Sequence, residues 1–140
     1  MSTQASRILD EGYGPGAWHG ADMKAAIGDV TPAIAFWRPA EGRHNIAEIA
    51  LHHAWCARSV RLKFTDDVEP FPLEGEDWFE VSDESKVPWK KIAKLVETQQ
   101  KKLAEAVSKS DGDPFDVLLG VTCHAIYHAG QIQLIKRLRG

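Results

Sequence analysis

The chain has 140 residues, 44% of them hydrophobic and 26% charged, which is typical of one compact globular domain. Seventeen Lys and Arg against 20 Asp and Glu give a formal net charge of −3, which argues against nucleic acid as the main partner, because phosphate recognition relies on a positive field. No apolar run approaches a membrane span of roughly 20 residues, the N-terminus shows no signal-peptide pattern, and the two cysteines form no spaced pair, so we expect a single cytoplasmic domain over residues 1–140.

Glycine and proline divide the N-terminal part of the chain. The breaker cluster Gly12–Gly16 is followed by the first predicted helix, Ala17–Ile27, and the pattern also permits a short helix from about Ser6. A turn and a short connector are predicted next, in which Thr31 is a suitable N-cap before Pro32.

The second helix is predicted from Asn45 to about Phe64. Asn45 is a suitable N-cap, and Glu48, three residues later, completes a capping-box pair. Residues 65–87 contain prolines, a glycine and many acidic side chains, and are predicted to be a long surface connection. A connection of this length between two helices is typical of a crossover rather than a tight hairpin.

The third helix is predicted from Pro88 to Val107, where apolar residues recur at helical spacing. A turn over residues 108–113 follows, and Asp113–Pro114 is a suitable start for a last helix that extends to about Leu138. The absence of strand-like alternation predicts an all-α fold, a four-helix bundle with a long crossover between the second and third helices.

The most specific pattern lies in the last helix, where His124 and His128 stand four residues apart. This spacing places two imidazoles on one face of a helix, within reach of one metal ion. The same face is apolar, and it also carries Gln131, so these polar groups need partners in the core. Residue 125 is Ala, so the HExxH pattern of metalloproteases is absent.

A third ligand should come from another helix, and the second helix offers the adjacent residues His52 and His53. Adjacent helical residues point about 100° apart, so only one of the two is expected to face the site. Helical-wheel geometry favours His53, which lies among the apolar residues, whereas His52 lies at the edge of that face.

Several segments resemble the DinB-like, YfiT-type family of metal-binding proteins. The last helix is similar to the family's HxxxHxGQI segment, which falls here on His124, His128, Gly130, Gln131 and Ile132. In the second helix the family places a metal histidine seven residues after the cap, and Asn45 as the cap gives that role to His52. Residues 13–20 and the pair Asp77–Trp78 are also similar to segments of family members.

The resemblance implies an up-down-down-up bundle, a metal site formed by His52, His124 and His128, and a homodimer. Three imidazoles leave a coordination position open, as in catalytic rather than structural sites. Zinc is the preferred ion, although nickel, iron, cobalt or manganese would also suit imidazole ligands.

From these observations we expect a metal-dependent enzyme acting on a small molecule. Relatives of this type include thiol-dependent S-transferases, so thiol transfer with a low-molecular-weight thiol is the first reaction class, and hydrolase-like chemistry the next. The alternative is a non-catalytic metal-binding or stress-response bundle that acts as a dimer. No catalytic side chain is assigned.

Other residues near the motif are expected to lie outside the site. Tyr127 points away from the histidine pair, and Cys123 is expected to be buried and inert. Cys56, one turn after His52, could approach the metal, but packing is the simpler interpretation. His19 and His44 are expected to be surface or capping residues.

Overall fold

A computed structural model describes residues 3–111 and 114–140, which form six α-helices and no strand. The helices are α1 (Gln4–Gly12), α2 (Met23–Gly28), α3 (Pro32–Ala35), α4 (Ile46–Arg61), α5 (Trp89–Ser108) and α6 (Phe115–Arg139). The predicted all-α class is confirmed over these ranges. Within the same ranges, no helix combines the length and the apolar character needed to cross a membrane.

The predicted helix Ala17–Ile27 is wrong over its first half. The helix there is the shorter Met23–Gly28, which begins after Asp22, whose carboxylate accepts a hydrogen bond from the Ala25 N–H at 2.8 Å. Residues 13–22, before this helix, are non-helical. Within them, Gly14 adopts a φ of +107°, and a side chain there would collide with the Asp22 carboxylate. The short helix that the sequence permits before this loop does form, as α1.

The boundaries of the longer helices agree well with the sequence. Asn45 and Glu48 form the predicted capping box at the start of α4, but this helix ends at Arg61 rather than Phe64. The predicted start of the last helix at Asp113 lies outside the described residues, and α6 is helical from Phe115. The connection between α4 and α5, residues 62–88, contains no helix.

The long helices pack in a defined order: α4 lies against α5 and α6, and α1 lies against α6. Their apolar side chains form two clusters. One draws on the first halves of α4 and α5 and the second half of α6, and its fully buried members include Ile46, Leu51, Ile92 and Ile132. The other contains Leu9, Ala57, Leu103, Val107, Leu118 and Val121. Burial of each Leu, Ile or Val side chain contributes about 1.5–3 kcal/mol to stability. Along α6, residues 124–128 lie between the two clusters.

A buried ionic network ties the start of α4 to the long connection. Glu48 is 1% exposed, and its carboxylate accepts two hydrogen bonds from Arg38 at 2.6 and 2.7 Å and one from the Val81 N–H at 2.9 Å. The Asn45 side-chain amide donates to the Val81 carbonyl at 2.7 Å. Every oxygen of the buried carboxylate therefore has a donor, and the connection is held close to α4 just after Trp78.

We expect Gly12→Ala to destabilise the protein by about 1–3 kcal/mol, because α1 approaches α6 too closely for a side chain. A Cβ at residue 12 would lie 2.9 Å from the Thr122 carbonyl oxygen and 3.0 Å from the Ala125 Cβ. Gly120→Ala is the matched control, since a Cβ there meets nothing within 4 Å and alanine favours the helix. Urea unfolding measures both variants, and equal stability of the two would contradict the close approach.

The Glu48 network predicts a pH-dependent stability. Burial alone would raise the pKa of Glu48, but hydrogen bonds from Arg38 and from the backbone N–H groups of Val81 and Asn45 hold this pKa below its usual 4.5. Such a group stabilises the folded state above pH 4.5, and the contribution disappears as the pH falls through the lowered native pKa.

Glu48→Gln should therefore lower the free energy of unfolding by about 2–4 kcal/mol near neutral pH, with a smaller difference from wild type in acid. Urea unfolding at a series of pH values measures this difference. Glu105→Gln, which changes an exposed carboxylate on α5, serves as the control. A difference that stays constant with pH would contradict the assignment.

Candidate metal centre

Three histidine side chains meet where α4 and α6 face each other. The Nε2 atom of His124 lies 3.0 Å from Nε2 of His52 and 3.1 Å from Nε2 of His128. These ligand atoms form a group that could hold a metal ion. Two nitrogen ligands on one tetrahedral ion, each at 2.0–2.1 Å, are about 3.3 Å apart, so the observed separations suit a shared ion.

The ring of His52 is fixed by the long connection. Its Nδ1 lies 2.9 Å from the Asp77 carbonyl oxygen and 3.0 Å from the Asp77 carboxylate. The Trp78 ring is stacked between His52 and His44, with both centroid distances 3.9 Å. Asp77 has a φ of 64°, in the left-handed region that is unusual for a residue other than glycine. In this conformation its carbonyl oxygen and its carboxylate both lie near Nδ1 of His52.

The ring of His128 is oriented from its own helix. Its Nδ1 lies 2.7 Å from the side-chain oxygen of Gln131. A neutral imidazole that donates through Nδ1 carries a lone pair on Nε2, so His52 and His128 both present a metal-binding nitrogen to His124. This is the outer hydrogen bonding usual for metal-bound histidines, and it gives Gln131 an orienting role.

Burial keeps the imidazoles of α6 neutral. Desolvation, followed by the nearby rings of His128 and His52, lowers the pKa of His124 to about 4. Desolvation also lowers the pKa of His128, against the opposing effect of the Gln131 hydrogen bond. At neutral pH these two side chains therefore bind an ion without first losing a proton, which favours metal binding.

The structure separates the two adjacent histidines of α4. His52 joins the cluster, whereas His53 points elsewhere, stacked at 6.2 Å on Tyr13, although wheel geometry favoured it. His53 is 1% exposed, and burial lowers its pKa to about 3, against the opposing effect of a hydrogen bond with the Gln100 side chain. His53 is therefore a neutral core residue.

Cys56 lies closer to the cluster than the sequence suggested. Its Sγ is 3.6 Å from Nε2 of His124 and 3.8 Å from Nε2 of His52. Burial, with a smaller effect of the Asp77 charge, raises the pKa of this thiol to about 11, so the free side chain is protonated.

An apolar cavity of about 620 Å³ adjoins the cluster. Trp78 and His128 belong to its wall as well as to the histidine cluster, and α6 supplies the aliphatic side chains of Leu134, Ile135 and Leu138. Arg43 lies at the same cavity and adds a positive charge to a largely apolar lining, whose other polar side chains include His44, His128 and Gln131. Such a cavity suits a small, largely apolar molecule with a polar or anionic group.

Several expectations about neighbouring residues are now resolved. Tyr127 is outside the histidine cluster, as expected, but it lines the cavity and its ring meets His128 edge-on at 5.1 Å. Cys123 is exposed, so its predicted burial is wrong. His19 and His44 are surface residues, as predicted, although His44 also supports Trp78.

Asp77 and Trp78 are the site residues that the sequence argument did not assign. The only signal for them was the similarity of this pair to a connector of the family. They lie 25 and 26 positions after His52, in a segment without helical periodicity, so no spacing rule connects them to it.

We expect the protein, purified without a histidine tag, to bind about one Zn²⁺ per chain. Loss of a residue that hydrogen-bonds to a metal ligand typically lowers metal affinity about 10–100-fold, and loss of a ligand itself should lower it more. We therefore expect Zn²⁺ affinity to fall more than about 100-fold in each of the variants His52→Ala, His124→Ala and His128→Ala. Gln131→Ala should cost about 10-fold, and the surface variant His19→Ala nothing. Substoichiometric binding that is unchanged in His124→Ala would contradict the site. Calorimetry with apoprotein measures all five.

Comparison with known proteins gives no relative from which the role of this site could be inferred. No protein-family model matches the chain, and no significant match to a curated protein or a solved structure is found. The resemblance to the DinB-like family therefore depends on the motifs quoted above and stays a prediction.

Proposed function

We propose that the protein is a metal-dependent enzyme in which His52, His124 and His128 hold one divalent ion and a small molecule reacts in the adjoining cavity. The observation that carries this proposal is that Nε2 of His124 lies 3.0 Å from Nε2 of His52 and 3.1 Å from Nε2 of His128. The cluster lies beside a largely apolar cavity of about 620 Å³. A purely structural role for the histidines would not require such a cavity at their side.

The side chains around the cluster have separate tasks in this proposal. A divalent ion held by the three imidazoles would lower the pKa of a bound water or thiol and would so supply a nucleophile near neutral pH. Asp77 and Gln131 keep the outer ring nitrogens protonated, and Trp78 excludes water from one side of His52. Zinc is the preferred ion, with nickel, iron, cobalt and manganese as alternatives.

Thiol transfer to a small electrophile is the reaction class that we place first, with a low-molecular-weight thiol as co-substrate. The cavity supports a substrate with an apolar body, since aliphatic side chains of α6 dominate its wall. Arg43 and His44 at the cavity suit an anionic group on either reactant. Hydrolysis of a small ester or amide is the second class, because the same ion would serve it.

We also infer an up-down-down-up four-helix bundle of the DinB-like type, formed by α1, α4, α5 and α6. The distribution of the apolar clusters supports this order, because the first halves of α4 and α5 share a cluster with the second half of α6. The non-helical connection of residues 62–88 between α4 and α5 has the length of a crossover.

A non-catalytic metal-binding protein that acts as a homodimer is the second candidate. It is favoured by exposed apolar side chains on α6, where Leu119, Tyr127, Leu134 and Leu138 are 46–65% exposed. A dimer through this helix would cover them, together with one wall of the cavity. Sedimentation analysis, combined with the activity measurement below, separates the two candidates.

We expect zinc-loaded protein to accelerate the reaction of a small thiol with an apolar electrophile, whereas apoprotein and His128→Ala should be inactive. Leu134→Gln, which changes a half-exposed cavity side chain, should raise the KM for the electrophile about fivefold, equivalent to roughly 1 kcal/mol, with metal content unchanged. A panel of thiols, electrophiles, esters and amides is assayed with each form.

Leu119→Gln is the matched control, since this leucine lies on the same helix with similar exposure but does not line the cavity. Full metal occupancy without turnover of any substrate in the panel would favour the non-catalytic candidate. Turnover that persists in His128→Ala would overturn the proposal.

A further inference from the structure

The thiol of Cys56 contacts two of the three imidazoles of the cluster. Its Sγ is 3.6 Å from Nε2 of His124 and 3.8 Å from Nε2 of His52. On a tetrahedral zinc ion with bonds of 2.0–2.1 Å to nitrogen and about 2.3 Å to sulfur, the nitrogen and sulfur ligands are about 3.6 Å apart. The two distances to Nε2 atoms bring the sulfur close to an ion shared by the histidines, but Sγ is also 3.9 Å from Nδ1 of His52 and so lies beside that ring. Rotation of the Cys56 side chain is therefore needed to place the sulfur on an ion held by the Nε2 atoms.

We propose that Cys56 is the fourth ligand of the resting metal centre, an inference that rests on the metal-binding role proposed above for the three histidines. As the metal–sulfur bond forms, the S–H bond breaks, its electron pair remains on sulfur, and the proton leaves to solvent. The exchange requires no oxidant or reductant. The site is then closed by this chain's own thiolate, and an incoming thiol must displace Cys56 or add beside it.

The position of Cys56 on α4 supports this role. It is one helical turn after His52, so both side chains project from the same side of the helix. Burial raises the pKa of the free thiol to about 11, so Cys56 is not a reactive thiolate by itself. A coordinated thiol is deprotonated by the ion, and the burial that makes the free thiol inert then protects the metal–sulfur bond from water.

This ligand would determine which molecules the centre accepts. A soft sulfur ligand already present in the resting state favours exchange with another sulfur ligand over exchange with water or a carboxylate. The centre would thus be selective for thiol co-substrates, in keeping with the first reaction class proposed above. Loss of Cys56 should open the position to water and to small anions.

Cobalt substitution tests the proposal without any activity assay. Apoprotein is titrated with Co²⁺, and absorption is recorded in wild type, Cys56→Ser and Cys123→Ser. We expect a sulfur-to-cobalt charge-transfer band in the near ultraviolet for wild type and Cys123→Ser, and none for Cys56→Ser. Binding of Co²⁺ by Cys56→Ser should be weaker by about 10-fold or more. Cys123 is an appropriate control because it is the exposed cysteine of the same chain.

The outcomes separate this inference from the proposed function. Bound Co²⁺ without a charge-transfer band in wild type would overturn the role of Cys56 and leave the three-histidine centre intact. A band that persists in Cys56→Ser would overturn it as well. Failure of wild type to bind Co²⁺ at all would overturn both proposals.

Alkylation of wild type keeps the test independent of how the variant folds. The rates at Cys56 and Cys123 are followed by mass spectrometry with and without Zn²⁺. We expect metal to slow alkylation of Cys56 at least tenfold and to leave Cys123 unchanged. Equal rates at Cys56 in the two states would count against metal ligation.

Discussion

Three imidazole nitrogens that face one point inside a helical core are costly to bury unless each has a partner. Among the described residues, two of the three outer nitrogens have hydrogen-bond partners, and Nδ1 of His124 has none. Asp77 and Gln131 accept hydrogen bonds from the outer nitrogens of His52 and His128, and the inner nitrogens are left facing one another. A cation at this point would satisfy all three lone pairs, so the same arrangement that orders the rings also favours metal binding.

The connection between α4 and α5 is as important to the site as the helices. It contributes Asp77 and Trp78, which hold His52 by a hydrogen bond and by stacking. The connection is itself held by the buried Glu48, whose carboxylate binds the Val81 N–H and the Arg38 guanidinium. Helix capping, the position of the connection and the orientation of the His52 ring are therefore linked through one carboxylate at the start of α4.

The chemistry that we propose depends on how burial acts on different groups. Desolvation lowers the pKa of His124 to about 4, which keeps this ligand neutral, and raises the pKa of Cys56 to about 11, which keeps its free thiol inert. Both effects disfavour charge in the absence of metal. A divalent ion reverses the second effect, since it stabilises a thiolate, so a centre of this composition would be assembled by the ion it binds.

The sequence by itself determined the all-α class, the long helices and the placement of the histidine pair on one face of the last helix. These are local properties: helical periodicity, caps such as Asn45 with Glu48, and the i, i+4 spacing of His124 and His128. The predicted helix Ala17–Ile27 was wrong over its first half, because Asp22 is the N-cap of a helix that begins at Met23. For the third histidine, the helical wheel favoured His53 and the family resemblance favoured His52, and the tertiary structure brings His52 into the cluster. Only the tertiary structure placed Cys56 beside the imidazoles and brought Asp77 and Trp78 to the site. A helical wheel describes one helix alone, whereas the side of α4 that faces the site is set by its packing against α5 and α6. The position of Asp77 and Trp78 depends on the connection of residues 62–88, which has no periodic pattern in the sequence.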